Sequence, residues 1–584
     1  MNKTTLLPFF SRTVLLASLA LALFVSCAVA SPSDSPAPVF TIVLRPAAAD
    51  AENRVRYVDI SLTYPIPAAS AGQALLKIPL LISNVVTVAE TIQDLSVSDA
   101  TGSVSVTIKD DPQSGEVTYR HWISSRDTNG ALTIHYRAPI SNVAAPRGAA
   151  PPMELRSDSG AFSGAGESFL LAPEKEMNQT VHLHWDLSAM ARGAVGISSL
   201  GEGDVTTSEP KGLRSLEHCY FMGGKVELYP QVPPKTGFFS AWHGTAPFNL
   251  RDLMASESKL YDFYGSFFHR PANAPYGVFL RENPVNAGGG NSLSGSFIAT
   301  FGPKTKLDDL KITLAHEMLH TFVGSLDKPE GLLSSWYSEG LAVYYARLLA
   351  RRAGQITADQ FLKDLNTTAG RYYTDALIAT PNAEIPARFW PDTRVRVLPY
   401  DRGSMYFAVV DEQVRAASAG KRSLDDLVLA MLKHREQGPL GQSDWVDLVT
   451  EQLGQKGKDD FEAMLSGATQ LPGPGAFGPC LTRTTKMLRR YQLGFEPSVL
   501  IEPKRIVRGL IPASAAERAG VRNGDEITQP VPQDQIQGQQ DAVLTLKLLR
   551  DGKPLEISYV PRGEAVEAYQ WVGTKTAPDR ECVF

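Results

Sequence analysis

The chain has 584 residues, 43% of them hydrophobic and 20% charged, an ordinary globular composition with room for about three domains. A net charge of −5 and the lack of a basic run give no footing for nucleic acid as a partner. Any function must therefore be argued from a site.

At the N-terminus, Lys3 and Arg12 precede the apolar run Val14–Val25, and Ala28, Val29 and Ala30 supply small residues before a polar stretch. This reads as a signal peptide over residues 1–30, cleaved near Ala30, with export to a periplasm or the extracellular space. Leu23-Phe24-Val25-Ser26-Cys27 is close to a lipobox and leaves a lipid anchor at Cys27 open. No later run reaches the roughly eighteen apolar residues of a membrane span.

Residues 31–205 read as a β-rich N-terminal domain, sandwich-like, with strands expected at Phe40–Leu44, Val55–Tyr64, Ser103–Ile108, Leu132–Tyr136 and Thr180–Leu187. His182 and His184 share one strand face, which reads as a solvated face because no third ligand is near.

Residues 206–475 carry the chemistry. Strands are expected at Gly277–Arg281 and Gly295–Phe301, around the run Gly288-Gly289-Gly290-Asn291, whose glycines suit a backbone that approaches a substrate closely or a plain hairpin. Next comes His316-Glu317-Met318-Leu319-His320, in a stretch where Leu307, Leu310, Leu314, Met318 and Phe322 recur at helical spacing. Residues four apart share a helix face, so both imidazoles can reach one metal ion, and Glu317 can act as base toward water activated there. With ten histidines in the chain, the pattern arises by chance in roughly one such sequence in a hundred.

A third ligand is expected in Ser335-Trp336-Tyr337-Ser338-Glu339-Gly340, at the start of a second helix reaching about Arg352. Glu339 is a carboxylate among apolar and aromatic neighbours, and a metal makes its burial tolerable. A third histidine shortly past Gly324 is absent, which favours a His2Glu set binding one Zn2+ per chain. Further on, Pro399-Tyr400-Asp401-Arg402-Gly403 opens a helix expected over about 401–417, and Tyr400 can stabilise charge on a carbonyl oxygen. Leu471-Pro472-Gly473-Pro474-Gly475 reads as a domain boundary.

In residues 485–580, the run Gly509–Ile527 resembles the core of a PDZ domain: a strand, a short helix and an Ala-Gly-Val-Arg-Asn-Gly-Asp-Glu-Ile turn. That resemblance implies a peptide-binding loop at Leu493-Gly494-Phe495, while a PDZ fold used only for packing stays open. Cys480 and Cys582 bracket this segment and could staple its ends in an oxidising compartment, with Cys219 left over.

Taken in order, HEMLH, WYSEG and PYDRG resemble the gluzincin metallopeptidases related to aminopeptidase N and leukotriene A4 hydrolase, and most of all the glycyl aminopeptidase family. The resemblance implies a multidomain α+β architecture: a β-rich N-terminal domain, a thermolysin-like, mostly helical catalytic domain and a C-terminal PDZ domain. It implies His316, His320 and Glu339 as zinc ligands, Glu317 as general base, Tyr400 as transition-state donor, and peptides or proteins as substrates. Relatives place a Glu for the substrate's amino group in the Gly-rich strand, where Gly289, Gly290 and Asn291 stand here. No acidic residue occurs between Asn283 and Lys306, with Glu282 and, beyond the gap, Asp308 the nearest candidates. Strict aminopeptidase trimming is therefore open. So are two rival readings: an idle zinc-containing scaffold that binds peptides through its PDZ segment, and a zinc hydrolase of a non-peptide substrate.

Overall fold

The computed structural model describes residues 39–574 and Cys582, apart from 66–67, 113–116, 143–149, 208–210, 284–286 and 532. The expected signal peptide and Cys27 lie outside the described residues. Among the described residues, no helix is long and apolar enough to cross a membrane.

The first part is β. Val39–Pro46 and Tyr57–Tyr64 alternate buried and more exposed residues, as strands with one face on a core do. They are central in a sheet with Asn178–Trp185, Leu132–Pro139 and Gln93–Asp99, in which Val39–Pro46 and Asn178–Trp185 run parallel. A second sheet contains Ala74–Ile82, Val117–Ser124 and Val106–Asp110. Phe40, Ile42, Leu62 and Ile134 of the first sheet and Leu76, Ile78 and Trp122 of the second share one core, so the two stack as a sandwich.

One expectation needs correction. The run Ser103–Ile108 is not one strand: Gly102–Ser103 belongs to the first sheet and Val106–Asp110 to the second, with buried Val104 at the crossing. A third sheet spans residue 205, because Tyr220–Gly224 pairs with both Ala161–Ala165 and Val195–Ser198. His182 bonds Thr206 and His184 bonds Asp204, and among the described residues neither joins a cluster of three metal-ligating groups.

The third sheet packs on the next one through Tyr220, Met222, Phe239, Phe279 and Ile298. In that sheet Gly237–His243, Pro275–Glu282 and Ser296–Phe301 are parallel and almost wholly buried, and Gly290–Leu293 is the antiparallel edge. Ser163, His243 and Asp158 form a hydrogen-bonded chain at this junction, with links of 2.9 and 2.8 Å. It looks like a serine-protease triad, but Ser163 is 0% exposed and no substrate can reach it. It is a satisfied buried histidine that ties the two sheets together.

Helices follow at Leu307–Val323, Ser335–Arg352, Ala358–Tyr373, Leu398–Ala417, Leu424–Arg435, Gln442–Leu453 and Gln455–Leu465. Their apolar faces merge into one large core with Trp336, Phe407, Trp445 and Phe461 near its centre.

The C-terminal part begins with a long ribbon, Leu481–Tyr491 paired with Arg562–Gly573, and a disulfide joins Cys480 to Cys582. A small sheet holds Arg505–Ile506, Glu526–Ile527, Leu544–Arg550 and Lys553–Tyr559, with a short helix at Ala515–Arg518. The strand expected at the start of Gly509–Ile527 is absent there; the nearest is Arg505–Ile506. This part is anchored firmly. Trp571 is fully buried in the core of the preceding helices, and the Asn366 amide bonds the Trp571 backbone at both N–H and carbonyl.

Candidate active site

The helix Leu307–Val323 buries Leu310, Leu314, Met318, Leu319 and Phe322, with Asp308 and Asp309 in its first turn, where acids suit the helix dipole. That packing fixes which face remains, and His316 and His320 stand on it one turn apart, their Nε2 atoms 3.2 Å from each other. The helix Ser335–Arg352 brings Glu339 Oε2 to 3.2 Å from His316 Nε2 and 3.4 Å from His320 Nε2.

These separations can be checked against chemistry. Tetrahedral zinc with bonds near 2.0–2.1 Å spaces its ligand atoms about 3.3–3.4 Å apart. The three side chains are 12%, 14% and 21% exposed, so they form a nearly dry cluster. At most one proton can sit between two imidazole nitrogens, and among the described residues no well-aligned hydrogen bond reaches Glu339 Oε2. A divalent cation would satisfy all three at once, so the residues fit zinc. Burial alone would raise the Glu339 carboxyl, but His320 and His316 outweigh it and hold it well below the usual carboxylate range.

Glu317 is 8% exposed, and burial raises its carboxyl against the lowering effect of the two histidines. Its side chain rests against the edge strand Gly290–Leu293. A Cβ at Gly290 would lie 2.5 Å from Glu317 Cγ and 2.6 Å from Oε1, so only glycine leaves room for this carboxylate. That is the role of one of the three glycines.

Tyr400 lies in the first turn of the helix Leu398–Ala417, which starts earlier than the sequence suggested. Its ring is 6.0 Å from the His316 ring, at 18°. Burial first, then the charges of Glu339 and Glu317, raise the phenol well above its ordinary value, so it stays a proton donor. The closeness of this helix to the Glu339 helix depends on Gly340 and Gly403. A Cβ on Gly340 would lie 2.7 Å from Gly403 Cα, and one on Gly403 would lie 2.5 Å from the Trp336 carbonyl oxygen. Beside Tyr400, Asp401 is fully buried and takes both ends of the Arg371 guanidinium fork. None of these supporting contacts is marked by local spacing.

Gly289, Gly290 and Asn291 thus lie at the edge of the site, and the Asn291 amide turns to the Ser292 carbonyl. Glu282, the acid nearest in sequence, belongs to Pro275–Glu282, two strands inward from the edge, or roughly 10 Å between backbones. Gly494 and Phe495 lie elsewhere, on a cavity of about 410 Å³ shared with Ala376 and Arg394. Phe495 itself is turned into the C-terminal core, and Gly494, at φ +95, is held close to Ala516.

Residues 310–379 match the M61 glycyl aminopeptidase family model. No curated protein matches the chain in sequence. An aminopeptidase N family protein from Idiomarina loihiensis has the same fold, with a TM-score of 0.64 at 14% identity over 91% of this chain and 98% of its own. A mutant M1 zinc metallopeptidase from Deinococcus radiodurans, bound to a Tyr-Ser-Ala substrate, is 14% identical with a TM-score of 0.45, covering 75% of this chain and 95% of its own. Native yeast leukotriene A4 hydrolase is 13% identical with a TM-score of 0.46, covering 75% of this chain and 69% of its own. The helix pair that brings His316, His320 and Glu339 together falls within the matched segment, and over that segment the chain resembles the M61 glycyl aminopeptidases.

Proposed function

We propose that the chain is an exported peptidase that uses one zinc ion, Glu317 as general base and Tyr400 as oxyanion donor. The observation that carries this reading is the trio of ligand atoms 3.2–3.4 Å apart beside an uncoordinated, buried glutamate. A zinc ion held there supplies Lewis acidity and lowers the pKa of water beside it.

The chain's own residues do the rest. Glu317 takes the proton of the attacking water and returns it to the leaving amine. The Tyr400 hydroxyl donates to the substrate carbonyl oxygen as negative charge builds on it. The strand Gly290–Leu293, paired with a neighbouring strand on one side only among the described residues, is placed to take up an extended peptide, which would lie across Glu317. A structural metal site needs no such base, which weighs against the idle scaffold.

The finer assignments belong to the same reading: a thermolysin-like catalytic domain over about 206–475, a PDZ-like C-terminal domain over about 485–580, and a signal peptide at 1–30. Peptide capture at Gly494 and Phe495 is less well supported, since the chain after them forms a 3-10 turn, Pro497–Ile501, where a peptide would need a strand.

The test is a digest of a peptide library with free and acetylated amino termini by the zinc-loaded protein, with and without a chelator. Cleavage abolished by the chelator and restored by zinc is the expected result. Full zinc occupancy with no peptide cleaved would overturn the proposal.

A further inference from the structure

The short helix Gln533–Gln537 of the C-terminal part lies against Thr393–Arg396, the turn that leads into the Tyr400 helix. Asp534 accepts from Arg396 Nη2 at 2.7 Å and from Nε at 3.2 Å, and the Thr393 hydroxyl donates to the same carboxylate. Arg396 is 7% exposed on its side chain and spends its remaining fork on the Phe389 and Trp390 carbonyls, both at 3.3 Å. From there the chain runs helically into Tyr400: Val397 N–H bonds the Thr393 carbonyl and Asp401 N–H bonds the Val397 carbonyl. On the other side of Tyr400, Asp401 is gripped by Arg371. Tyr400 therefore stands between two carboxylate–guanidinium forks, one of them crossing from the C-terminal part.

We propose that Asp534 is a positioning residue for Tyr400, so that the C-terminal part completes the catalytic site. The inference rests on the role assigned to Tyr400 above. Two observations favour it over simple interdomain glue. Docking is already secured by Trp571 and Asn366, far along the chain from Asp534. The Asp534–Arg396 pair also meets the chain four residues before Tyr400, away from the ribbon that carries Trp571. What the pair does fix is direction. A bidentate fork sets both the position and the plane of Arg396, and through the turn after it the start of the Tyr400 helix. The phenol stands at the far end of a long side chain, so a small tilt of that turn moves the hydroxyl by more. A misplacement near 1 Å can cost about 100-fold in rate.

The experiment is a double-mutant cycle on peptide hydrolysis, with Asp534→Ala and Tyr400→Phe alone and together, and with zinc content measured for each. Asp534→Ala is expected to lower kcat at least tenfold with KM within twofold and zinc unchanged, yet to change kcat less than twofold in the Tyr400→Phe background. Asp534→Asn, whose single amide oxygen can keep the Arg396 Nη2 and Thr393 contacts but not the Nε contact, is expected to fall between wild type and Asp534→Ala. Hydrogen exchange should quicken at residues 397–401 in Asp534→Ala, a readout independent of activity. If Asp534→Ala fails to fold, Thr393→Val, which removes one donor to the carboxylate, carries the same cycle. Equal losses in both backgrounds, or no loss, would overturn the inference. Tyr400→Phe with wild-type activity would instead overturn the role of Tyr400 and this inference with it.

Discussion

Replacing Gly290 with Ala adds one methyl group, and the structure says where it goes. The new Cβ would sit 2.5 Å from Glu317 Cγ, 2.6 Å from Oε1 and 2.7 Å from Cδ. Carbon atoms rest comfortably at about 3.5–4.0 Å, so one partner must yield by about 1 Å. Gly290 is not among the glycines of positive φ, so alanine brings no backbone strain of its own. The edge strand is held in register by Ser296–Phe301, which leaves the Glu317 side chain to move. A base displaced by 1 Å loses about 100-fold in kcat, or about 2.7 kcal/mol of transition-state stabilisation. His316, His320 and Glu339 are not touched, so zinc content should stay at the wild-type level. The assay is steady-state hydrolysis of a peptide substrate with zinc measured on the same samples. Gly438→Ala is the control, since nothing lies within 4 Å of its added Cβ. Gly290→Ala with kcat within threefold of wild type would refute the reasoning, and so would a loss of zinc in step with activity.

Other outcomes follow from the same structure. Glu257 is 3% exposed with one oxygen unpartnered, and burial lifts its carboxyl to about 8, against the opposing charge of Lys311. The folded chain thus keeps a proton that the unfolded chain has lost above about 4.5, so stability falls as pH rises from 4.5 to about 8. Glu257→Gln should remove this contribution, and its gain over wild type in urea denaturation should grow by a few kcal/mol between pH 5 and pH 8; an equal gain at both would contradict the assignment. With only neutral groups on the edge strand, N-acetylated peptides should be cut within about tenfold of their free forms, a gap of about 1.4 kcal/mol. A far larger preference for the free amine, measured as a ratio of kcat/KM, would point to a carboxylate outside that strand.

What could be read from the sequence divides along physical lines. His316, Glu317 and His320 were legible because helix spacing is local and the apolar rows around them fix which face is buried. Glu339 was legible by elimination, as a carboxylate with no reason to sit among aromatics. The contacts that hold the site were not. Gly340 and Gly403 look like ordinary helix residues until their helices cross, and Gly290 looks like a hairpin residue until Glu317 is placed against it. The Asp534–Arg396 pair spans 138 residues of sequence and leaves no periodic trace. In the β region, alternation found the strands but not their partners. The segment Ser103–Ile108 therefore reads as one strand although its two ends join different sheets.

The most direct test of the central claim is Glu317→Gln. The amide keeps the shape of the side chain and removes only its ability to take a proton. The substituted protein should fold, bind zinc at the wild-type level and lose peptide hydrolysis by several orders of magnitude. Hydrolysis within tenfold of wild type at full zinc occupancy would contradict the account.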